Sequence, residues 1–257
     1  MSRKTLIVAV LAGCLVAGAC SGTPAPTPTP VVAPVSPTVS VSPSPAARSD
    51  PVLGDGTFVA RAKTASLLVN RQPFNSARIQ WPFPAKNDFG QQVSFLVTGT
   101  HRTPAGDPWL HIQLGSKPNE AAAWVPQDEV TLSKVRDSVV VDLSQRILRH
   151  YRDGKLVDRF SVGVGQPQWP TTPGHYFIWA KVPQASPFGP YGVYALGLSG
   201  FSTVLTDWPG GGRMAIHGTA NASDQGQQVS HGCVRVYNPD MEKLKRLPMG
   251  TPVTIQK

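Results

Sequence analysis

The chain has 257 residues, with 24 Lys and Arg against 15 Asp and Glu, a formal net charge of +9. The basic residues are scattered and no nucleic-acid-binding motif accompanies them, so the charge suits an anionic surface such as a cell-wall polymer and not nucleic acid. Of three cysteines, two fall in the first twenty residues, which leaves Cys233 without an internal disulfide partner in the rest of the chain.

The start reads as an export signal. Ser2-Arg3-Lys4 is basic, and Thr5 to Ala19 is apolar and uncharged, too short for a comfortable span and followed by no stop-transfer charge. Cys14 follows Leu11-Ala12-Gly13 and Cys20 follows Ala17-Gly18-Ala19, and small residues before Cys resemble a lipobox. Cys14 has Leu11 three residues upstream. Cys20 has the fuller apolar run and is followed at once by Ser21-Gly22 and a Pro-rich tract, so Cys20 is the expected lipidation site. An ordinary secretory signal is the alternative. Residues 1–20 are then a lipoprotein-type signal peptide. The mature protein is expected at the outer face of the cytoplasmic membrane, held by its N-terminal lipid and facing the cell wall.

Residues 21–49 carry eight prolines among Thr, Ser and Val. Such composition cannot bury a core and favours polyproline II, a tether of up to roughly 90 Å at about 3.1 Å per residue.

Residues 55–134 read as a small β domain. Val93 to Val97, Trp109 to Leu114, Ala123 to Val125 and Glu129 to Leu132 are strand-like, with turns at Gly99, Pro104 to Pro108 and Gly115 to Asn119. The order WLHIQL, KPNEA, AWVPQDEVTL resembles bacterial SH3-like domains, which implies a small β-barrel. His101 and His111 lack metal-type spacing and read as structural. Trp109 and Trp124 read as sheet aromatics.

Ser133 to Asp137 reads as a polar link to a second module, residues 137–257. Its strands begin at Ser138, at Gln145 and, after an Asp153-Gly154 hairpin turn, at Leu156. His175 to Val182, Tyr191 to Leu198 and Ser199 to Leu205 continue the pattern, and Thr251 to Gln256 closes it. One short helix is expected, with Asn238 as N-cap, Pro239 at the first helical position and Pro248 beyond its end. The fold class is mainly β: an SH3-like barrel followed by a β-sandwich.

The chemistry concentrates in MAIHGTANASDQGQQVSHGCVRV, Met214 to Val236. Two apolar runs frame a polar loop that can bring His217 back towards Cys233. An imidazole that takes the thiol proton makes Cys a competent nucleophile, and the imidazolium can later protonate a leaving amine. His217 and His231 are both candidates for that base. Gly218 and Gly232 permit close backbone approach, backbone N–H groups at Gly232 and Cys233 offer an oxyanion hole, and Arg235 can hold a carboxylate. A zinc site built on two His and one Cys is the rival reading, with no second cysteine or compact ligand pair to support it.

His-Gly-Thr at 217–219 and Ser-His-Gly-Cys-Val-Arg-Val at 230–236 resemble the signature of YkuD-type L,D-transpeptidases. The likeness extends through VVVDLSQRILRHYRDGKLVDRFSVGVG, PFGPYGVYALGLSGF and GTPVTI; Thr171-Thr172-Pro173-Gly174 departs from the more usual Thr-Pro-x-Gly. The resemblance implies a YkuD-like β-sandwich with Cys233 as nucleophile, His217 as base and the Gly218 carbonyl orienting it. It implies support from Ser230, His231 and Gly232, with Arg235 and Ser230 at the substrate. The implied reaction is acyl transfer on peptidoglycan peptide stems: D-Ala leaves, a thioester forms, and a neighbouring amine gives a 3→3 cross-link. It also implies acylation by carbapenem-type β-lactams, and no metal or cofactor. An L,D-carboxypeptidase, or a non-catalytic cell-wall-binding lipoprotein, is the alternative.

Overall fold

The computed structural model describes residues 53, 56–73, 80–207 and 210–257; the export signal, Cys14, Cys20 and the Pro-rich tether lie outside them. Seven strands build the first module: β1 (Thr57–Ala62), β2 (Ser66–Asn70), β3 (Gln80–Pro84), β4 (Phe95–Arg102), β5 (Pro108–Gln113), β6 (Ala122–Pro126) and β7 (Val130–Val135). They form one antiparallel sheet in the order β3-β2-β6-β5-β4-β1-β7. The strand patterns at β4 to β7 were legible, whereas β1 to β3 were not. β3 reads Gln-Trp-Pro-Phe-Pro, and proline cannot donate to a ladder. It is tolerated because β3 is an edge strand paired only with β2.

The second module holds β8 (Asp137–Asp142), β9 (Ile147–Arg152), β10 (Lys155–Ser161), β11 (Val164–Gly165), β12 (Gly174–Pro183), β13 (Tyr194–Phe201), β14 (Arg213–Thr219), β15 (Gln228–Ser230), β16 (Val234–Tyr237), α1 (Asn238–Leu244) and β17 (Pro252–Gln256). Eight of its strands run in the order β10-β9-β8-β17-β12-β13-β14-β16, and β11 pairs with β15. The sheet curls over itself into a sandwich. Val139 and Leu148 at one end share a core with Ile216 and Val236 at the other, closed by Met241 and Leu244 of α1. Asp153 and Gly154 both have positive φ, 51° and 73°, as the expected hairpin turn requires.

Three expectations are corrected. The polar stretch Ser133 to Asp137 is no loop: Ser133 and Val135 pair with Val59 and Thr57 of β1, and Asp137 already opens β8. A polar strand is stable there because β1 satisfies its backbone. Ser199 to Leu205 is not a further strand. β13 runs on to Phe201, and the Ser202 hydroxyl then accepts the N–H groups of Val204 and Leu205 at 3.2 and 3.0 Å, turning the chain away. Asn238 does not cap α1. Its Oδ1 accepts the Val193 N–H at 3.1 Å and its Nδ2 donates to the Pro187 carbonyl at 2.9 Å, so it ties the helix start to the preceding loop. Tyr237 stands at the cap position with no side-chain bond.

The two modules share packing. Side chains alternate along β12, so Tyr176 and Ile178 enter the second module's core while Phe177 and Trp179 enter the core of the first. Hydrogen bonds stitch the same seam: Asn87 Nδ2 donates to the Trp179 carbonyl at 2.8 Å, Gln91 Nε2 to that of Lys181 at 2.6 Å, and Gln113 Nε2 to that of His175 at 2.6 Å. Asn119 exchanges two 2.8 Å bonds with the backbone of Phe201.

At the far end, buried His150 sits between two carboxylates, with Nε2 2.8 Å from Asp137 and Nδ1 3.1 Å from Asp158. Arg152 Nε also donates to Asp137 at 2.9 Å. Replacing His150 with Ala leaves Asp137 buried with less compensation, and such a loss costs roughly 3 kcal/mol. A urea titration of His150→Ala should show that destabilisation, with an unchanged m-value.

Candidate active site

β14 and β16 run parallel in the register Ile216 to Val234 and His217 to Arg235, so Cys233 enters β16 opposite Ala215. The polar loop is therefore the crossover of a parallel pair, containing a short 3-10 turn at Ala222–Asp224 and the strand β15. The Ala215 backbone N–H donates to the Cys233 sulfur. Ala215 and His217 lie two apart on β14 and face the same side, so the imidazole and the sulfur open into one cleft of about 590 Å³.

His217 is 3% exposed. Its Nδ1 donates to the Gly218 carbonyl at 2.8 Å, which leaves the Nε2 lone pair free to accept a proton. Tyr191 packs edge-on against the ring at 5.1 Å. Burial brings the His217 pKa down to about 4, opposed by the Gly218 bond and assisted by Arg235. Burial likewise pushes the Cys233 thiol up, against the Ala215 N–H and Arg235. At neutral pH the resting pair is thus thiol and neutral imidazole.

His231 is placed differently. Its ring stacks on Trp169 at 4.2 Å and 29° and forms part of the cleft wall. Ser230 is buried, its hydroxyl donating to the Cys233 carbonyl at 2.5 Å and accepting the Gly232 N–H at 3.1 Å. This braces the turn that carries the cysteine, and Gly232 holds φ +107° there, a torsion that a side chain would strain. The Gly232 N–H is accordingly engaged within the turn by Ser230 Oγ in this structure, so the expected pair of free donors at Gly232 and Cys233 is not formed.

Arg235 Nη1 pairs with Asp224 at 3.1 Å, and its Nε is buried without a partner. Asp224 is itself buried and accepts from Thr219 Oγ1 and Asn221 Nδ2, each at 3.0 Å. Asp224, Trp169 and Tyr191 were not singled out from the sequence. Thr219-x-Asn221-x-x-Asp224 carried a signal in its run of turn-forming side chains, but which of them turns inward depends on the crossover. Among the described residues, no three His, Cys, Asp or Glu side chains converge as a metal-ion site.

The segment that carries His217 and Cys233 is similar to a known family. Residues 136–255 match YkuD, the L,D-transpeptidase catalytic domain. YkuD of Bacillus licheniformis is 36% identical over 118 residues, 46% of this chain and 64% of that one. ErfK/SrfK of Escherichia coli, named a probable L,D-transpeptidase, is 30% identical over 161 residues, 51% of this chain and 47% of its own length. The chain thus spans less than two thirds of either relative. Among solved structures, an L,D-transpeptidase of Mycobacterium tuberculosis aligns over 64% of this chain and 90% of that one, at 17% identity and a TM-score of 0.42. The YkuD match begins at Arg136, where β7 gives way to β8, so the first module lies outside it.

The low His217 pKa has a stability consequence. Between pH 6.5 and 4 the unfolded imidazole binds a proton that the folded one refuses, so stability falls as pH drops through that window. The loss reaches about 3 kcal/mol once the pH is below 4. Urea titrations at pH 7, 5.5 and 4 should show His217→Gln losing less stability than wild type across this range; equal losses would mean that His217 does not carry the effect.

Proposed function

We propose that the protein is an L,D-transpeptidase acting on peptidoglycan stem peptides through a Cys233 thioester. The observation that carries the reading is the β14–β16 register. It puts the sulfur and a tautomer-fixed imidazole into one cleft, with Nδ1 of His217 occupied and Nε2 available.

In the proposed reaction the Cys233 thiol passes its proton to His217 Nε2 as sulfur attacks the carbonyl between the diamino acid and D-Ala of a tetrapeptide stem. The Cys233 N–H faces the oxyanion. Collapse breaks the C–N bond, the imidazolium protonates the departing D-Ala amine, and a thioester remains. An amine of a second stem then attacks, His217 takes its proton, and the thiol is regenerated with a 3→3 cross-link. Ser230 and Gly232 hold the nucleophile's turn, His231 lines the wall, and Arg235, fixed by Asp224, faces a substrate carboxylate. The residues supply the whole sequence without a cofactor.

The proposal extends to the rest of the chain as its sequence reads: an SH3-like wall-facing module, a Pro-rich tether, and export with a lipid on Cys20 to the outer face of the cytoplasmic membrane.

A carbapenem carbonyl is a probe for the same sulfur. Intact mass after incubation should show one adduct on wild type and none on Cys233→Ala. Wild type without an adduct, its thiol still titratable, would favour the wall-binding alternative. Purified tetrapeptide stems then separate cross-linking from hydrolysis by product mass.

A further inference from the structure

The cleft that holds Cys233 is not confined to the YkuD-matched segment. Its far wall is Asp88 and Phe89, from the turn between the third and fourth strands of the first module. That turn is firmly built. Asn87 Oδ1 accepts the N–H groups of Phe89 and Gln91, each at 3.0 Å, while Asn87 Nδ2 reaches across to the Trp179 carbonyl at 2.8 Å. The turn is therefore anchored to β12 of the catalytic module.

Two features make this wall a ligand surface. Phe89 is 57% exposed although its ring meets Trp179 edge-on at 6.4 Å, so an aromatic face is left open at the cleft rim. Asp88 is the only carboxylate among the cleft-lining residues; its charge acts on the nearby Arg213, but among the described residues it makes no hydrogen bond or close ion pair, so its oxygens keep their accepting capacity. Arg213 also lines the cleft, and its donors are engaged: it lies 3.5 Å over the Trp179 ring and donates to the Leu198 and Gly115 carbonyls at 2.9 and 3.0 Å. With its pKa brought down by burial only to about 10, it keeps its positive charge at neutral pH. The cleft thus carries two guanidinium groups, Arg235 paired with Asp224 beside the sulfur and Arg213 with its donors engaged, and one carboxylate with open acceptor positions on the wall that the first module supplies. A substrate with a carboxylate at one end and an ammonium at the other fits that polarity.

We propose that Asp88 and Phe89 form a substrate-recognition subsite, in which Asp88 takes an ammonium group of the peptide stem and Phe89 covers the carbons beside it. This makes the first module a specificity element of the active site. The choice of a stem as ligand rests on the proposed function.

The test is binding to the full chain carrying Cys233→Ala, so that chemistry does not intervene. Two probes are compared by calorimetry: a tetrapeptide stem with a free side-chain amine on its third residue, and the same peptide with that amine acetylated. The free-amine stem should bind more tightly. Adding Asp88→Asn should weaken it roughly fivefold, as for a partly exposed ion pair, while leaving the acetylated stem unchanged. Phe89→Ala should weaken both. Equal loss for both peptides on Asp88→Asn, no loss for either, or no measurable binding of the free-amine stem would overturn the subsite. Charge-selective binding combined with an unacylated, inactive wild type would instead sink the transpeptidase reading and leave the subsite standing.

Discussion

His217→Ala should slow acylation of Cys233 by a carbapenem at pH 7 by about 10²- to 10⁴-fold, the range for loss of a positioned general base. The resting pair is neutral, with the thiol held above its usual range by burial, so without the imidazole little thiolate is available for attack. The pH profile should distinguish this from a folding defect. In the variant the rate should climb about tenfold per pH unit as hydroxide in bulk water takes over deprotonation, whereas wild type should be nearly flat from pH 6 to 8, since His217 titrates near pH 4. Stopped-flow absorbance of carbapenem ring opening would measure both. A variant within threefold of wild type would move the base elsewhere, and His231→Ala would then be the deciding comparison. His231 stacked on Trp169 is otherwise expected to affect binding more than the proton transfer.

Phe177→Ala should destabilise the whole described fold by about 3 to 5 kcal/mol, the cost of emptying a fully buried aromatic site. Phe177 is 0% exposed and lies on a strand of the second module, yet it packs in the core of the first. The loss should therefore appear in one cooperative transition and not in the melting of one module. A piece starting at residue 136 would expose Phe177 and Trp179 together, forfeiting roughly 3 to 6 kcal/mol of burial, and should aggregate or melt far below the full chain. Differential scanning calorimetry would report both. Two resolved transitions, with Phe177→Ala moving only one, would show that the modules fold independently.

This shared core bears on the cleft as well. The seam bonds from Asn87, Gln91 and Asn119 fix the first module against β12 and β13, and the same anchoring presents Asp88 and Phe89 to the cysteine's cleft. The interface that holds the fold together therefore also shapes the cleft and the subsite proposed there.

The sequence alone made the candidate site and most of the local structure legible. Cys233 with His217, the Gly-flanked turn, the period-two strands and the Asp153-Gly154 hairpin follow from side-chain chemistry and backbone preference, which act over a few residues. Three things were decided only by tertiary structure. The proline-bearing strand Gln80–Pro84 is permitted by its place at a sheet edge, which no local pattern encodes. Asn238 has the chemistry of a helix cap, but the Val193 N–H and Pro187 carbonyl, some fifty residues away, compete for it and win. The charge pattern of the cleft, with Arg235 fixed by Asp224 and Asp88 acting on Arg213, joins positions from two modules. The physical reason is the same each time: hydrogen bonds and charges are satisfied by whatever the packed sheets bring near, and the alternation of β12 that brings the modules together shows in sequence only as an apolar run.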